Sequence, residues 1–424
     1  MEPVLFPTDT SFWFETLRVL GATAYGGADI GEVLVTAQAI TAGDYDSWYD
    51  EWAATADRIA AEAEKANAAG HLVSARDGLM RASNYYRSAD FYLHENPDDP
   101  RIKHAYSRAR ECFVAAAALL DPPVEPIEIP YDDTVLHGYF YPALRRDGDT
   151  GPSPTIIMHS GFDGTCEEMH WMGAAAGQER GYNVVTFDGP GQPAALHFDG
   201  LVFRTDWEHV VTPVLNWTLD RAGVDPDRVA LLGASMGGLL APRAAAYEHR
   251  LAACIAFDGV YDLGLTVTQS MPGTRAESEA VLRAESAPEV DAMIAQLMAS
   301  DPNIRWAATH GQYVMGVDSP RAFFASYLDY TLADGIAEQI SCPTLVCDAA
   351  TDIFFEGQPR LLFDHLTCPK TLLDFTAEEG AGAHCQVGAG RLAFARIYDW
   401  LDDTLATASR KASPRVVGGR PIKV

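Results

Sequence analysis

The serine at position 235 stands in Gly233-Ala234-Ser235-Met236-Gly237, at the end of an apolar run that begins at Val229. Gly-x-Ser-x-Gly between a strand-like run and a small, helix-compatible stretch (Gly238 to Tyr247) is the pattern of a nucleophile elbow. Gly233 and Gly237 leave room for a turn too tight for side chains, and the serine Oγ is left exposed at the top of a strand. A serine hydroxyl attacks poorly until a base takes its proton, and a neutral imidazole is the base suited to neutral pH. A carboxylate must then hold the imidazole in the correct tautomer and stabilise the imidazolium. The five residues alone would fit an ordinary strand-to-helix loop; the strand before and the helix after favour the elbow.

An elbow of this kind expects an acid and then a histidine later in the chain. His384 lies in the glycine-rich loop Glu379 to Cys385, after the apolar run Thr371 to Phe375 and before a helical stretch from Val387 to Leu405. Asp352 ends the loop that follows the short strand Pro343 to Cys347, where catalytic groups of open α/β sheets gather. Asp258 and Asp262, after the strand Ala252 to Phe257, and Asp348 stay open as alternatives. The oxyanion of an acyl intermediate needs two backbone donors: Met236, the residue after the nucleophile, and Phe162, in the loop Ser160 to Gly164 after the strand Thr155 to His159. Gly161 lets that loop approach closely, and His159 shapes it. Asp163, Asp258, Tyr86 and Trp306 are candidates for the substrate pocket. Cys385, beside His384, reads as a small buried filler.

The elements needed to position these groups follow from the pattern. The chain has 424 residues, 48% hydrophobic and 21% charged, enough for two or three structural units. Residues 1–125 read as a helical domain, with helices over 47–69, 74–94 and 100–120, the last stopped by Asp121-Pro122-Pro123. Strands and helices alternate over 126–262, as in a mostly parallel doubly wound sheet. The strand rhythm stops over 263–340, which reads as a helical cap inserted above the site, and resumes over 341–408. Residues 409–424 read as a loose tail. The formal net charge of −28 argues against nucleic acid and anionic membrane surfaces as partners. Seven cysteines without a CxxC pair and no signal-peptide pattern suggest reduced thiols in the cytoplasm. No metal-ligand spacing or phosphate-cradling loop is present, so no metal and no cofactor are expected.

Elbow, acid and histidine in this order resemble the α/β-hydrolase fold. A larger set narrows the resemblance: Gly43-Asp44-Tyr45-Asp46-Ser47-Trp48, Ser83-Asn84-Tyr85-Tyr86-Arg87, Gly161 to Glu168, Phe187-Asp188-Gly189-Pro190-Gly191-Gln192, and the cap segments Arg305-Trp306 and Gly316 to Pro320. Together these resemble the 2,6-dihydroxypseudooxynicotine hydrolase group, which includes the fungal heptaketide-shortening pigment enzymes. The resemblance implies hydrolysis of a carbon–carbon bond next to a ketone, in aryl ketones or polyketide β-diketones, with Ser235, Asp352 and His384 as triad. It also implies a homodimer whose helical domain helps to close the pocket. One departure is Pro193, where the group's pattern continues with glycine. The same groups would serve an esterase, amidase or acyltransferase, and a catalytically idle binding protein is the reading of another class.

Overall fold

The computed structural model describes residues 3–145 and 151–412, with backbone only for 407–412. The N-terminal region is helical: α1 (Thr10–Gly21), α2 (Ile30–Ala39), α3 (Tyr45–Ala68), α4 (Leu72–Ala89) and α5 (Pro100–Ala117). Each start has a local cause. Asp9 caps α1 by accepting from Phe12 N at 3.0 Å, and Asp99 caps α5, whose Pro100 needs no N–H at that position. Trp48, Trp52, Ala56, Ile59 and Ala63 make one buried face of α3, with spacings of three and four residues. Phe12 of α1 fits between Trp48 and Tyr92, with ring centroids 4.7 and 4.8 Å away.

Two differences from the sequence reading lie here. The helix expected over 74–94 ends at Ala89, and a separate 3₁₀ turn, Leu93–Glu95, follows. The first two helices were not individually foreseen, because α1 and α2 are short and their apolar faces are matched only by tertiary partners.

The core is one eight-stranded sheet: β1 (Glu125–Tyr131), β2 (Thr134–Tyr141), β3 (Ser153–His159), β4 (Asn183–Phe187), β5 (Val224–Ala234), β6 (Ala253–Phe257), β7 (Thr344–Ala349) and β8 (Lys370–Phe375). The spatial order is β1-β2-β4-β3-β5-β6-β7-β8, and only β2 runs against its neighbours. β4 and β6 are buried along their whole length, as strands covered on both faces must be. The crossover and flanking helices are α6 (Ala174–Glu179), α7 (Pro193–Asp199), α8 (Glu208–Leu219) and α9 (Gly237–Tyr247). Pro193 opens α7, a position where its missing N–H costs nothing. Between β6 and β7 the chain makes five helices, α10 (Leu263–Thr268), α11 (Arg275–Leu282), α12 (Pro288–Ser300), α13 (Pro302–Met315) and α14 (Pro320–Tyr327). The fold is α/β, with a mostly parallel sheet and a helical N-terminal region. It closes with α15 (Gln358–His365) and α16 (Gly390–Ala412), so the expected loose tail is helical to residue 412 and otherwise lies outside the described residues. Among the described residues no helix is long and apolar enough to cross a membrane.

Candidate active site

β5 delivers Ser235 onto a turn where its own φ is +61°, a conformation that costs energy for a residue with a side chain. Ser235 N donates to the Phe257 carbonyl of β6 at 2.9 Å, and the Ser235 carbonyl accepts from Gly238 N at 2.7 Å. A Cβ on Gly233 would collide with the Gly237 carbonyl, which is the steric reason for glycine there. Ser235 Oγ lies 2.8 Å from His384 Nε2, and His384 Nδ1 lies 2.8 Å from Asp352 Oδ2. The nucleophile, base and acid candidates are thus one hydrogen-bonded chain.

Asp258 stands beside it. Its Oδ2 is 3.0 Å from the same Nδ1, and the carboxylate also accepts from Cys385 N and, at 2.9 Å, from Gln386 Nε2. Cys385 and Gln386 both have positive φ, so Asp258 fastens a strained loop directly after the histidine. Asp352 accepts instead from Phe354 N and Phe355 N, at 2.7 and 3.2 Å. Burial works against charge on His384, but Asp352, with Cys385 and Asp258, outweighs it and holds the imidazole pKa well above its ordinary value. Asp352 is held below the usual carboxylate range despite its burial, chiefly by His384, whereas burial pushes Asp258 up. Asp262 instead pairs with Arg275 at 2.8 Å, and Asp348 with Arg360 at 3.0 Å.

The loop after β3 faces the elbow. A Cβ on Gly161 would sit 2.6 Å from Met236 N and 2.7 Å from the Ala234 carbonyl, so only glycine brings the two segments this close. Three groups hold the loop. Gln192 Nε2 donates to the Ser160 and Gly161 carbonyls at 2.8 and 3.2 Å, and His310 Nε2 donates to the Phe162 carbonyl at 3.0 Å. Arg18 of α1 pairs with Asp163 at 2.5 Å and clasps both oxygens of Glu168 at 2.6 Å. His159 is fully buried below, bonded to the Ser160 carbonyl at 2.8 Å and to Trp207 Nε1 at 3.3 Å.

Above Ser235 lies a cavity of about 490 Å³. Gly161, Phe162, Asp163, Trp306, His384 and Cys385 are on its wall, and α10 to α14 with their connections supply much of the rest, including Met271, Ile294 and Phe324. Burial pushes the Cys385 thiol up to about 11, which suits a filler better than a nucleophile. Two pocket candidates need correction. Tyr86 does not line this cavity: it is on the side of α4 that faces α3, where its hydroxyl bonds Asp57. Asp258 is fully buried beneath the histidine loop and is not on the cavity wall either. Conversely, Phe14, Glu15 and Arg18 of α1 line the cavity and were missed. Their only sequence signal is an amphipathic first helix, in which Glu and Arg read as a solvated face.

Two groups of donors could be weighed as metal sites, Asp258–His384–Cys385 and Cys166–Glu167–Asp188. The first is already bonded internally, as described. In the second, burial pushes Asp188 and Cys166 well above their usual values, and Tyr139 donates to Glu167 at 2.7 Å. Protonated donors of this kind fit a shared hydrogen bond better than a cation.

Comparison with known proteins places this chain among hydrolases. The FrsA-like esterase family model matches residues 34–273, a span that includes Ser235 but stops short of Asp352 and His384. The hydrolase LUC6 of a Fusarium species is 36% identical, over 94% of this chain and 97% of its own. The 20-hydroxy-prefusarin hydrolase FUS2 of Gibberella moniliformis is also 36% identical, over 93% and 96%. The crystal structure of a 2,6-dihydroxy-pseudo-oxynicotine hydrolase superposes with a TM-score of 0.70 at 25% identity, covering 92% of this chain and 96% of that one.

Proposed function

Starting from a chain that belongs to the FrsA-like esterase family and is an α/β hydrolase, we propose that Ser235, His384 and Asp352 are its catalytic triad and that it cleaves a carbon–carbon bond next to a ketone. The observation that carries this reading is the unbroken chain Ser235 Oγ–His384 Nε2 and His384 Nδ1–Asp352, each link 2.8 Å. Ser235 adds to the ketone carbonyl as His384 takes its proton, and the N–H groups of Met236 and Phe162 hold the oxyanion. Collapse expels a carbanion that a β-diketone or an electron-rich ring can delocalise, and the imidazolium protonates it. Water, activated by His384, then releases the acyl group as a carboxylic acid.

The apolar cavity supports an aromatic or polyketide-like substrate, and the names of the similar 2,6-dihydroxy-pseudo-oxynicotine and 20-hydroxy-prefusarin hydrolases point the same way. The esterase family match favours a second reading, ester cleavage or acyl transfer through the same acyl-enzyme. Both are tested by product analysis on β-diketone and ester panels, with and without an alcohol acceptor. Ser235→Ala is expected to lose about a million-fold in kcat while folding normally, and a serine-directed phosphonate should label Ser235 in the wild type. Activity retained in that variant would end the covalent mechanism.

A further inference from the structure

One side of the apolar cavity is ionic. Glu15, Arg18, Asp163 and Glu168 line it together, and Arg87 of α4 stands behind, 3.5 Å from Glu168. The guanidinium of Arg18 is nearly used up: Nε and Nη2 clasp Glu168 at 2.6 Å, and Nη1 meets Asp163 at 2.5 Å. Glu15 is left with long contacts to the same Nη1, 3.4 and 3.5 Å, although its side chain is only 5% exposed. Three carboxylates therefore face two guanidinium groups, and the surplus one opens onto the substrate cavity. Phe14, the preceding residue, puts its ring 6.2 Å from that of His384, so this part of α1 leans over the triad.

Cleavage of an ester and cleavage of a β-diketone differ in what the leaving side requires. In both, the attacked carbonyl becomes an oxyanion held by backbone N–H groups. An ester then expels an oxygen that the imidazolium protonates directly. A β-diketone expels carbon, and the bonding electron pair flows into the second carbonyl, whose oxygen becomes an enolate. A site built for that step gains from a further donor on the cavity wall, beyond the backbone pair.

We propose that Glu15 is this donor, a carboxylic acid that hydrogen-bonds the second carbonyl oxygen of a β-diketone and stabilises it as an enolate while the carbon–carbon bond breaks. The inference rests on the carbon–carbon reading of the site given above. The bonds balance as follows. Ser235 Oγ bonds the first carbonyl carbon and its proton passes to His384 Nε2. The carbon–carbon bond breaks, its electron pair moves into the enolate, and the His384 proton is delivered to the enolate carbon. Glu15 lends its proton as a hydrogen bond and keeps it, and water later hydrolyses the acyl-serine.

The protonation state required is the one the surroundings favour. Burial is the main influence and pushes the Glu15 carboxyl up to about 7; Arg18 and Arg87 oppose this, while Asp163 and Glu168 add to it. Tyr92, a further titratable neighbour, is a buried phenol whose own pKa is pushed well up, so it carries no charge to pair with Glu15. The donor is thus present below about pH 7 and is lost as pH rises through that value.

The test compares 1-phenylbutane-1,3-dione with 4-nitrophenyl acetate in the full-length wild type, Glu15→Ala and Glu15→Gln. Glu15→Ala should lose about a hundredfold in kcat on the diketone, at least about tenfold more than on the ester. Glu15→Gln, which keeps an N–H donor, should recover part of that loss. Wild-type diketone cleavage should fall above about pH 7 relative to ester cleavage, and Glu15→Gln should lack this relative fall. Equal losses on both substrates, or none on either, would overturn the proposal. Titration of the diketone into Ser235→Ala by tryptophan fluorescence gives a readout without turnover, and adding Glu15→Ala should weaken Kd about tenfold, the loss of one charge-free hydrogen bond. An unchanged Kd, or no diketone binding at all, also overturns it. If instead Ser235→Ala turns over the diketone, or the wild type binds it without cleaving it, the failure belongs to the proposed reaction and not to Glu15.

Discussion

Asp352 Oδ2 and Asp258 Oδ2 lie 2.8 and 3.0 Å from one nitrogen of His384, yet their other partners divide the work between them. Asp352 is held ionised and hydrogen-bonds Nδ1, whereas Asp258 is tied to the backbone of Cys385 and the amide of Gln386. Asp352→Asn is therefore expected to lower kcat about ten-thousand-fold, and Asp258→Asn much less. The sign of the accompanying pH effect is fixed. Attack needs the neutral imidazole, and Asp352 raises the pKa at which that form appears. Removing its charge should move the acid limb of the ester kcat/KM profile to lower pH. If Asp258→Asn costs more and shifts the limb further, the orienting acid is Asp258. At this scale the sequence was informative where chain order brings groups together, as for Ser235, Asp352 and His384, which form one hydrogen-bonded chain. It was silent on Glu15 and Arg18, and misleading on Tyr86, because a polar residue's helix face does not reveal which neighbour it meets.

The loop between β3 and α6 shows how elements collaborate on a single peptide plane. The Gly161 carbonyl belongs to the same peptide as the Phe162 N–H, and Gln192 holds that carbonyl at 3.2 Å while its own Oε1 accepts from Gly189 N at 2.7 Å. Gln192 is fully buried, so water does not compete for its amide, which the Gly161 carbonyl shares with the Ser160 carbonyl at 2.8 Å. Gln192→Leu should let the plane rotate and lower kcat about a hundredfold with little change in KM. Circular dichroism should show the fold intact. An unaltered kcat would mean that Arg18 and His310 suffice to hold the loop. The motif Phe187 to Gln192 was readable in the sequence as a recurring pattern. What it grips was not, since Ser160 and Gly161 lie on a different strand's loop and come near only because β3 and β4 are adjacent in the sheet.

At the scale of the molecule, the N-terminal helices and the cap grip one another above the sheet. Trp306 of α13 stacks on Phe91 at 4.7 Å and donates to the Phe91 carbonyl at 3.2 Å. Arg305 pairs with Glu95 at 2.6 Å, and His310 Nδ1 accepts from His94 Nδ1 at 2.8 Å. Removing residues 1–120 would strip one wall from the cavity and uncover apolar side chains such as Phe162 and Trp306. Such a chain is expected to be insoluble or, where recovered, inactive on a bulky aryl ketone; a soluble fragment with full activity would show that the helices are not part of the site. The alternation of strands and the break over 263–340 were plain in the sequence, because hydrophobic period changes there. The grip between cap and N-terminal helices was not, being made by residues about 200 positions apart.

The clasp of Arg18 on Asp163 and Glu168, and of Phe14 against His384, also has a consequence in time. α1 holds contacts whose last partner is synthesised more than three hundred residues after it. At about 5–20 residues per second that is a wait on the order of tens of seconds. Over that interval Phe12 can already pack on Trp48 and Tyr92, and Arg18 gains Asp163 and Glu168 on the way, but Phe14 waits for His384. The growing chain therefore has no closed pocket until the segment that carries His384 has been made.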